Sequence, residues 1–268
     1  MTASANQRWR ARRESYRPAG EPINTALHEV APICDDVTAK RFVLEHHYSA
    51  TYPAARFRFG LYEGPHLVGV AVFSHPCNDK VLTGVFPGPA RDSVELGRFV
   101  LLDRVPGNGE TWFLARCFEM LRAEVAGVVS YSDPIARASL DGTSTHPGHV
   151  GTIYQAHNGV YLGRGTARVL RLLPDGTTFS ARALQKIRRR ERGWRYAGAV
   201  LERFGASELT ESADAAAWLA SWVPRLTRPL PHPGNHKYAW AIDRALRRHL
   251  PAGLRYPKMH LEDARAAA

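Results

Sequence analysis

A chain of 268 residues with 44% hydrophobic and 10% aromatic residues holds enough apolar material for a sizeable core, which excludes global disorder. Its 36 Lys and Arg against 25 Asp and Glu leave a net charge of +11, a balance suited to a polyanion such as nucleic acid, or simply to a basic, arginine-rich protein. Three cysteines without a C-x-x-C pair (Cys34, Cys77 and Cys117) exclude a disulfide scaffold and a cysteine zinc site, and no apolar run reaches the roughly 20 residues of a membrane span.

Residues 1–22 read as a disordered basic arm, ended by the breakers of "RPAGEP" and without the apolar stretch of a signal peptide, so a cytoplasmic location is expected. "LHEVAPI" reads as a strand. "DDVTAKRFVLEHHYSA" reads as a helix that Asp35 or Asp36 can cap, with Val37, Phe42 and Val43 on its inner side. "ARFRFGLYEG" and "HLVGVAVFSH" alternate as a hairpin around a tight turn. After the loop-rich "NDKVLTGVFPGPARDS", "VELGRFVLLD" reads as a buried strand, "ETWFLARCFEMLRAE" as a helix, and "AGVVSYSDP" as a strand stopped by Pro134. "IARASLDGTSTHP", residues 135–147, reads as a flexible insertion. A short helix is expected around residues 150–157, then strands at "VYLG" and "ARVLRLL", a basic helix at "SARALQKIRRRERG" with Ser180 as cap, and helices at "RYAGAVLERFGA" and "KYAWAIDRALRRHL". The sum is a mixed α/β fold with a central, partly antiparallel sheet flanked by helices, in three parts: the arm, a catalytic domain over 23–205, and a basic helical extension over 206–268.

Four clusters sit at the ends of these elements, where a scaffold can hold side chains over a cleft: "EHHYS" (45–49), "ELGRF" (95–99), "SYSDP" (130–134) and "HVGTIYQAHNGVYLG" (149–163). They supply His46, His47, Tyr48, Glu95, Arg98, Asp133, His149, Tyr154 and Gln155: acids and bases, a cation, and groups able to grip a flat heterocycle. Each also has a plain structural role open to it. His46 and His47 can close a helix, Arg98 can form an ion pair with Glu95 or Asp133, and Asp133-Pro134 can simply stop a strand. The glycines of "VPGNGETWF" can free backbone N–H groups for an anion around Asn108 and Gly109, or merely cap a helix. Lys186, Arg188, Arg189 and Arg190 form a basic rod that can track phosphates, and Lys237 in "HPGNHKYAW" can join a site.

Taken together, "HHYS", "ELGRFVLLDRVPGNGETWFL", "VVSYSDP", "GHVGTIYQAHNGVYLG", "RVLRLLPDG" and "NHKYAW" resemble the Mom family of phage DNA-modification proteins, in order over roughly residues 40–250. The resemblance implies a GNAT-like acyltransferase fold. It implies conversion of adenine in double-stranded DNA to N6-carbamoylmethyladenine, which shields the DNA from restriction enzymes. Tyr48, Arg98, Asp133 and Tyr154 match the family's catalytic positions. It further implies iron, with His46, His47 and His149 as ligand candidates. The donor, acetyl-CoA or another small molecule, and a homodimer are left open. The insertion at 135–147 and the absence of a clean pyrophosphate loop depart from the family pattern. Two other readings stand beside this one: a GNAT-like N-acetyltransferase for a small amine or a protein, and a basic DNA-binding protein without enzymatic activity.

Overall fold

The computed structural model describes residues 5–10, 13–18 and 20–258. The strands are β1 (Ala5–Arg10), β2 (Arg13–Pro18), β3 (His28–Pro32), β4 (Ala55–Glu63), β5 (His66–Ser74), β6 (Ser93–Leu101), β7 (Gly127–Ser132), β8 (Arg137–Ala138), β9 (Ser144–His146), β10 (Val160–Arg164), β11 (Arg168–Leu172), β12 (Arg228–His232) and β13 (His236–Ala241). The helices are α1 (Asp36–His46), α2 (Lys80–Thr83), α3 (Gly109–Leu121), α4 (Thr152–Ala156), α5 (Ala181–Arg189), α6 (Trp194–Glu202) and α7 (Ala215–Leu226). The chain divides into two compact units. Among the described residues, the first comprises those up to 134, 148–165 and 235–258, and the second 135–147 and 166–234.

The first unit is built on a seven-stranded sheet in the order β10-β13-β7-β6-β5-β4-β3. All neighbours are antiparallel except β6 and β7. Its strands alternate apolar side chains between two faces. Phe59, Leu61, Phe73, Leu96 and Phe99 join Phe113, Leu114, Cys117 and Leu121 of α3 in one cluster. Val70, Val72 and Val100 meet Ala39, Phe42 and Val43 of α1 in another. Helices therefore cover both faces, and the expected mixed α/β, partly antiparallel sheet is present. Asp35 caps α1 by accepting the Thr38 N–H at 2.7 Å.

The sheet is irregular at its middle in two ways. β6 and β7 pair only from Ser93/Gly127 to Leu96/Ser130. Beyond that they part, while β5 stays on β6 to Leu101 and β13 stays on β7 to Ser132. The register between β5 and β6 also shifts at this point, leaving Gly97 unmatched between Leu96 and Arg98. The shift puts Glu95 and Arg98 on the same face, as partners of Ser74 and Val72.

The second unit has its own core. Phe179, Ile187, Ala197, Leu201, Leu209, Trp218, Leu219 and Val223 gather from α5, α6, α7 and the segments beside them. Ser180 caps α5 by accepting the Ala183 N–H at 3.1 Å. The ladders β11-β12 and β8-β9 complete this unit.

Several expectations are corrected. The described part of the N-terminal arm is not disordered but an antiparallel ladder, β1 on β2. It is held because Arg8, only 2% exposed, donates to Glu110 at 2.6 Å and to the carbonyls of Leu102, Val105 and Pro106. Residues 1–4, 11, 12 and 19 of that arm lie outside the described residues. Val37, 75% exposed, points away from the core. "KYAWAIDRALRRHL" is not one helix: its first part is β13, between β7 and β10, where Tyr238 and Trp240 fill the α3 face and Ala239 the opposite one, and only Leu246–His249 form a short 3-10 helix. Residues 135–147 contain β8 and β9 and belong with the second unit, so the expected boundaries at 22 and 205 differ from the observed division.

Candidate functional site

The parting of β6 and β7 opens a pocket in the first unit, lined by Gly97, Arg98 and Phe99 from β6 and Tyr131 from β7. His47 and Tyr48 line it just after α1, His149 from the loop before α4, residues 152–154 from α4, and Gln7 from β1. Gly97 is needed here, because a Cβ would stand 2.6 Å from Ser74 Oγ and 3.2 Å from Pro53 Cγ. Gly151 starts α4 with φ +74°, and a Cβ there would meet Tyr154 and Tyr238 below 3.0 Å.

Arg98 Nε donates to the Thr51 carbonyl at 2.8 Å, and its two terminal nitrogens donate to Gly97 O and Thr51 Oγ1. Burial lowers its pKa, while the groups of Tyr48, Glu95 and Tyr154 favour its charge. The same burial raises Glu95 despite Arg98. Tyr131 is pushed up to about 12 by burial and by Glu95. Tyr154 is raised by burial and hydrogen-bonds the Ser130 side chain; its ring packs 5.5 Å from Tyr238 and 5.6 Å from Trp240. These tyrosines are neutral phenols at pH 7.

Enclosure pushes His149 down to about 4, against the nearby Asp133 charge that favours its protonation. Its Nε2 lies 3.5 Å from Tyr48 Oη, the rings meet edge to face at 6.0 Å, and its backbone N–H donates to the Asp133 carbonyl at 2.8 Å. Gln7 Nε2 is buried with no hydrogen-bond partner among the described residues, which leaves an amide donor in the pocket wall. The site thus combines aromatic faces, neutral donors, one fixed cation and a neutral imidazole beside a carboxylate.

Of the residues expected from sequence, Tyr48, Arg98, His149 and Tyr154 line this pocket, and Asp133 stands behind His149. Gln155 does not line it. Its Nε2 donates to Val150 O, Tyr238 Oη and Pro257 O, tying α4 to β13 and the C-terminal segment. Asn108 and Gly109 are also elsewhere. Asn108 Oδ1 accepts the Ile23 N–H at 2.6 Å, and the Gly107 N–H is taken by Glu21 at 3.1 Å, so the protein's own groups fill that turn. Lys237 Nζ donates to Val81 O at 3.2 Å and burial lowers its pKa, which makes it a fold contact. Arg190 closes α5, donates to the carbonyls of Thr210 and Ala213, and stacks over Trp194 at 3.9 Å. Lys186 is half-buried, whereas Arg188 and Arg189 are exposed.

His47 lines the pocket, but its Nδ1 faces Ser49 and its ring lies against Tyr48. The His46 ring packs on Phe42. Among the described residues no three His, Cys, Asp or Glu side chains converge as metal ligands. Sequence reasoning missed Gln7, Tyr131 and Gly97. Tyr131 and Gly97 lie inside motifs already singled out, but Gln7 carries no signal of its own.

No curated protein matches the chain. Among solved structures, it is similar to a tandem GNAT protein from the clavulanic acid biosynthesis pathway, at 14% identity and TM-score 0.34 over 58% of this chain; it spans 50% of that protein's length. It is also similar to an acetyltransferase described as putative from Pyrococcus horikoshii, at 12% identity and TM-score 0.36 over 82% of this chain and 92% of the other. A family profile described as the Mom protein family matches residues 28–211, which span α1, the whole pocket strand pair, α4 and α6. The chain belongs to the Mom protein family.

Proposed function

We propose that the protein is a DNA-modifying transferase that attaches a carbamoylmethyl group to adenine N6. The observation that carries this reading is the pocket wall, which Tyr48, Tyr131 and Tyr154 share with the neutral His149 and with Gln7, whose Nε2 has no hydrogen-bond partner among the described residues. A flat, uncharged base needs such a wall, because its recognition rests on stacking and on neutral donors and acceptors along its edge. A duplex base must first leave the stack to reach it.

The exocyclic N6 is a weak nucleophile, so the site has to remove a proton as the N6–carbon bond forms. His149 is neutral at pH 7 and can take that proton. Asp133 favours the imidazolium that results, while the donor's leaving group departs with its electron pair. Arg98, locked on Thr51 and Gly97, offers a fixed cation to an anionic part of the donor.

The test is expression in a bacterial host followed by mass spectrometry of nucleosides from plasmid DNA. A deoxyadenosine heavier by the carbamoylmethyl group is expected, and Asp133→Asn should abolish it while leaving DNA affinity nearly unchanged. Unaltered nucleosides from abundant folded protein, or full activity of the Asp133 variant, count against the assignment.

A second reading, an N-acetyltransferase for a small amine or a protein, is favoured by the parted strands themselves. Beyond Leu96 and Ser130 no ladder joins β6 to β7 among the described residues. Strands parted in this way can pair with the amides of an extended acyl-thioester donor. This reading predicts thiol release from acetyl-CoA without DNA.

A further inference from the structure

We infer that α5, the four-residue turn after it, and α6 form a helix-turn-helix surface that docks on duplex DNA through the exposed stripe of α6. The choice of DNA rests on the DNA-directed function proposed for the pocket; the surface itself rests on charge, turn geometry and exposure.

The charge of the chain is unevenly distributed. Residues 166–234 carry twelve Lys and Arg against six Asp and Glu, more than half of the net +11. Within this segment α5 and α6 are joined by residues 190–193, a turn that ends in Gly193 at φ +87°, and α7 packs against both. Two short helices joined by a four-residue turn ending in glycine match a helix-turn-helix in length and connection.

The turn is rigid. Arg190, itself at φ 51°, is stacked on Trp194 and bonded to two carbonyls that precede α7. Glu191 is held by Arg182 at 2.7 Å and Gln185 at 3.1 Å. Sequence alone makes this run of arginines a uniform rod, but the fold divides it. Arg190 braces the turn, while Arg188, Arg189 and Arg192 stay exposed with no ion-pair partner among the described residues.

On α6, Ala197, Gly198 and Leu201 face the core. Arg192, just before the helix, and Arg195, Tyr196, Ala199 and Arg203 are all exposed. At 100° per residue Arg195, Tyr196, Ala199 and Arg203 fall within an arc of about 100°, and Arg192 lies in the turn just before it. Tyr196 is 82% exposed, unusual for an aromatic with nothing to cover it. Ala199 sits at the centre of the arc, where a small side chain lets the helix backbone approach a partner. Arg195 and Arg203 are held by Glu211 and Asp175 at the surface, weak contacts that phosphates can replace.

A positive helix with a small central residue and flanking arginines fits the B-DNA major groove, about 12 Å wide. The deep, narrow major groove of A-form RNA does not admit it. Arg188, Arg189 and Arg192 then lie on phosphates, and Tyr196 and Ala199 face base edges and thymine methyl groups.

The test is fluorescence anisotropy with a labelled DNA duplex from 50 to 300 mM salt, using the full chain and no donor, with circular dichroism as the check on folding. Ala199→Glu, at an exposed position, should weaken binding at least tenfold with the helix content intact. Arg189→Ala with Arg192→Ala should make the log K against log salt slope shallower by about two, at roughly 0.9 per phosphate contact. Tyr196→Ala should lower affinity several-fold and leave the slope unchanged.

Variants that all bind within twofold of wild type overturn the inference, as does equal weakening by an Arg244→Ala, Arg247→Ala, Arg248→Ala control in the first unit. An RNA duplex of the same sequence bound as tightly as DNA, or polyglutamate competing as well per charge, also overturns it in favour of another polyanion. Because binding is read without chemistry, this result is separate from the nucleoside assay. Weak binding by Ala199→Glu supports the surface even if no modified adenine is found, and modified adenine with unchanged binding by Ala199→Glu removes the surface but leaves the transferase.

Discussion

At the scale of single residues, the informative groups are those whose charge the fold has altered. His149 and His236 are both pushed down to about 4 by burial, and His236 Nδ1 lies 2.8 Å from the Tyr161 hydroxyl. Their folded pKa values lie below the ordinary 6.5, so the unfolded chain binds more protons than the folded one between about pH 4 and 6.5. Stability from these two residues is fully present above pH 6.5 and is lost as pH falls toward 4. Thermal melts across that range should show a falling midpoint, and His236→Phe combined with Tyr161→Phe should flatten the slope. A midpoint independent of pH between 6.5 and 4 would contradict the assigned burial. Tyr131 and Tyr154, raised instead, contribute no such slope near neutrality.

Elements, rather than residues, make the pocket. The one-residue shift at Gly97 turns Arg98 onto the face it shares with Glu95, and the parting of β6 and β7 just beyond leaves room between them. Gly97→Ala should destabilise the fold by roughly 1–3 kcal/mol through overpacking against Ser74 and Pro53, read as a lower denaturant midpoint at an unchanged m-value. Local signals exposed much of this level in advance. Asp35 and Ser180 marked two helix starts by cap chemistry, and alternation marked β4 and β5. The same signals failed where tertiary position decides. "HKYAWA" suits a helix locally, but its place between β7 and β10 makes it a strand, and with it Lys237 becomes a fold contact. Tyr48, Arg98, His149 and Tyr154 were legible because each lies inside a motif dense in polar and aromatic residues. Gln7 was not, because it enters the pocket from a distant strand whose sequence reads only as basic and polar.

At the scale of the whole molecule, contacts remote in sequence hold the start of the chain in place. Arg8 and Glu110 pair at 2.6 Å with both side chains almost wholly buried. Arg8→Ala leaves the Glu110 carboxylate buried without its cation, and should cost roughly 3–5 kcal/mol, measured by chemical denaturation. Adding Glu110→Gln to that variant should recover part of the loss, since a neutral amide tolerates the site better. An Arg8→Ala protein as stable as wild type would show that the N-terminal ladder contributes nothing to the first unit. The same ladder carries Gln7, so its loosening should also weaken any ligand held in the pocket.

The chain passes from the first unit to the second after residue 134, returns at 148, leaves again after 165 and returns at 235. Neither body is therefore encoded by one continuous stretch of gene. A single recombination breakpoint anywhere in this region delivers fragments of both and a complete copy of neither. The pocket and the basic helices are therefore encoded on interleaved stretches of one gene, and "IARASLDGTSTHP" is one of those stretches.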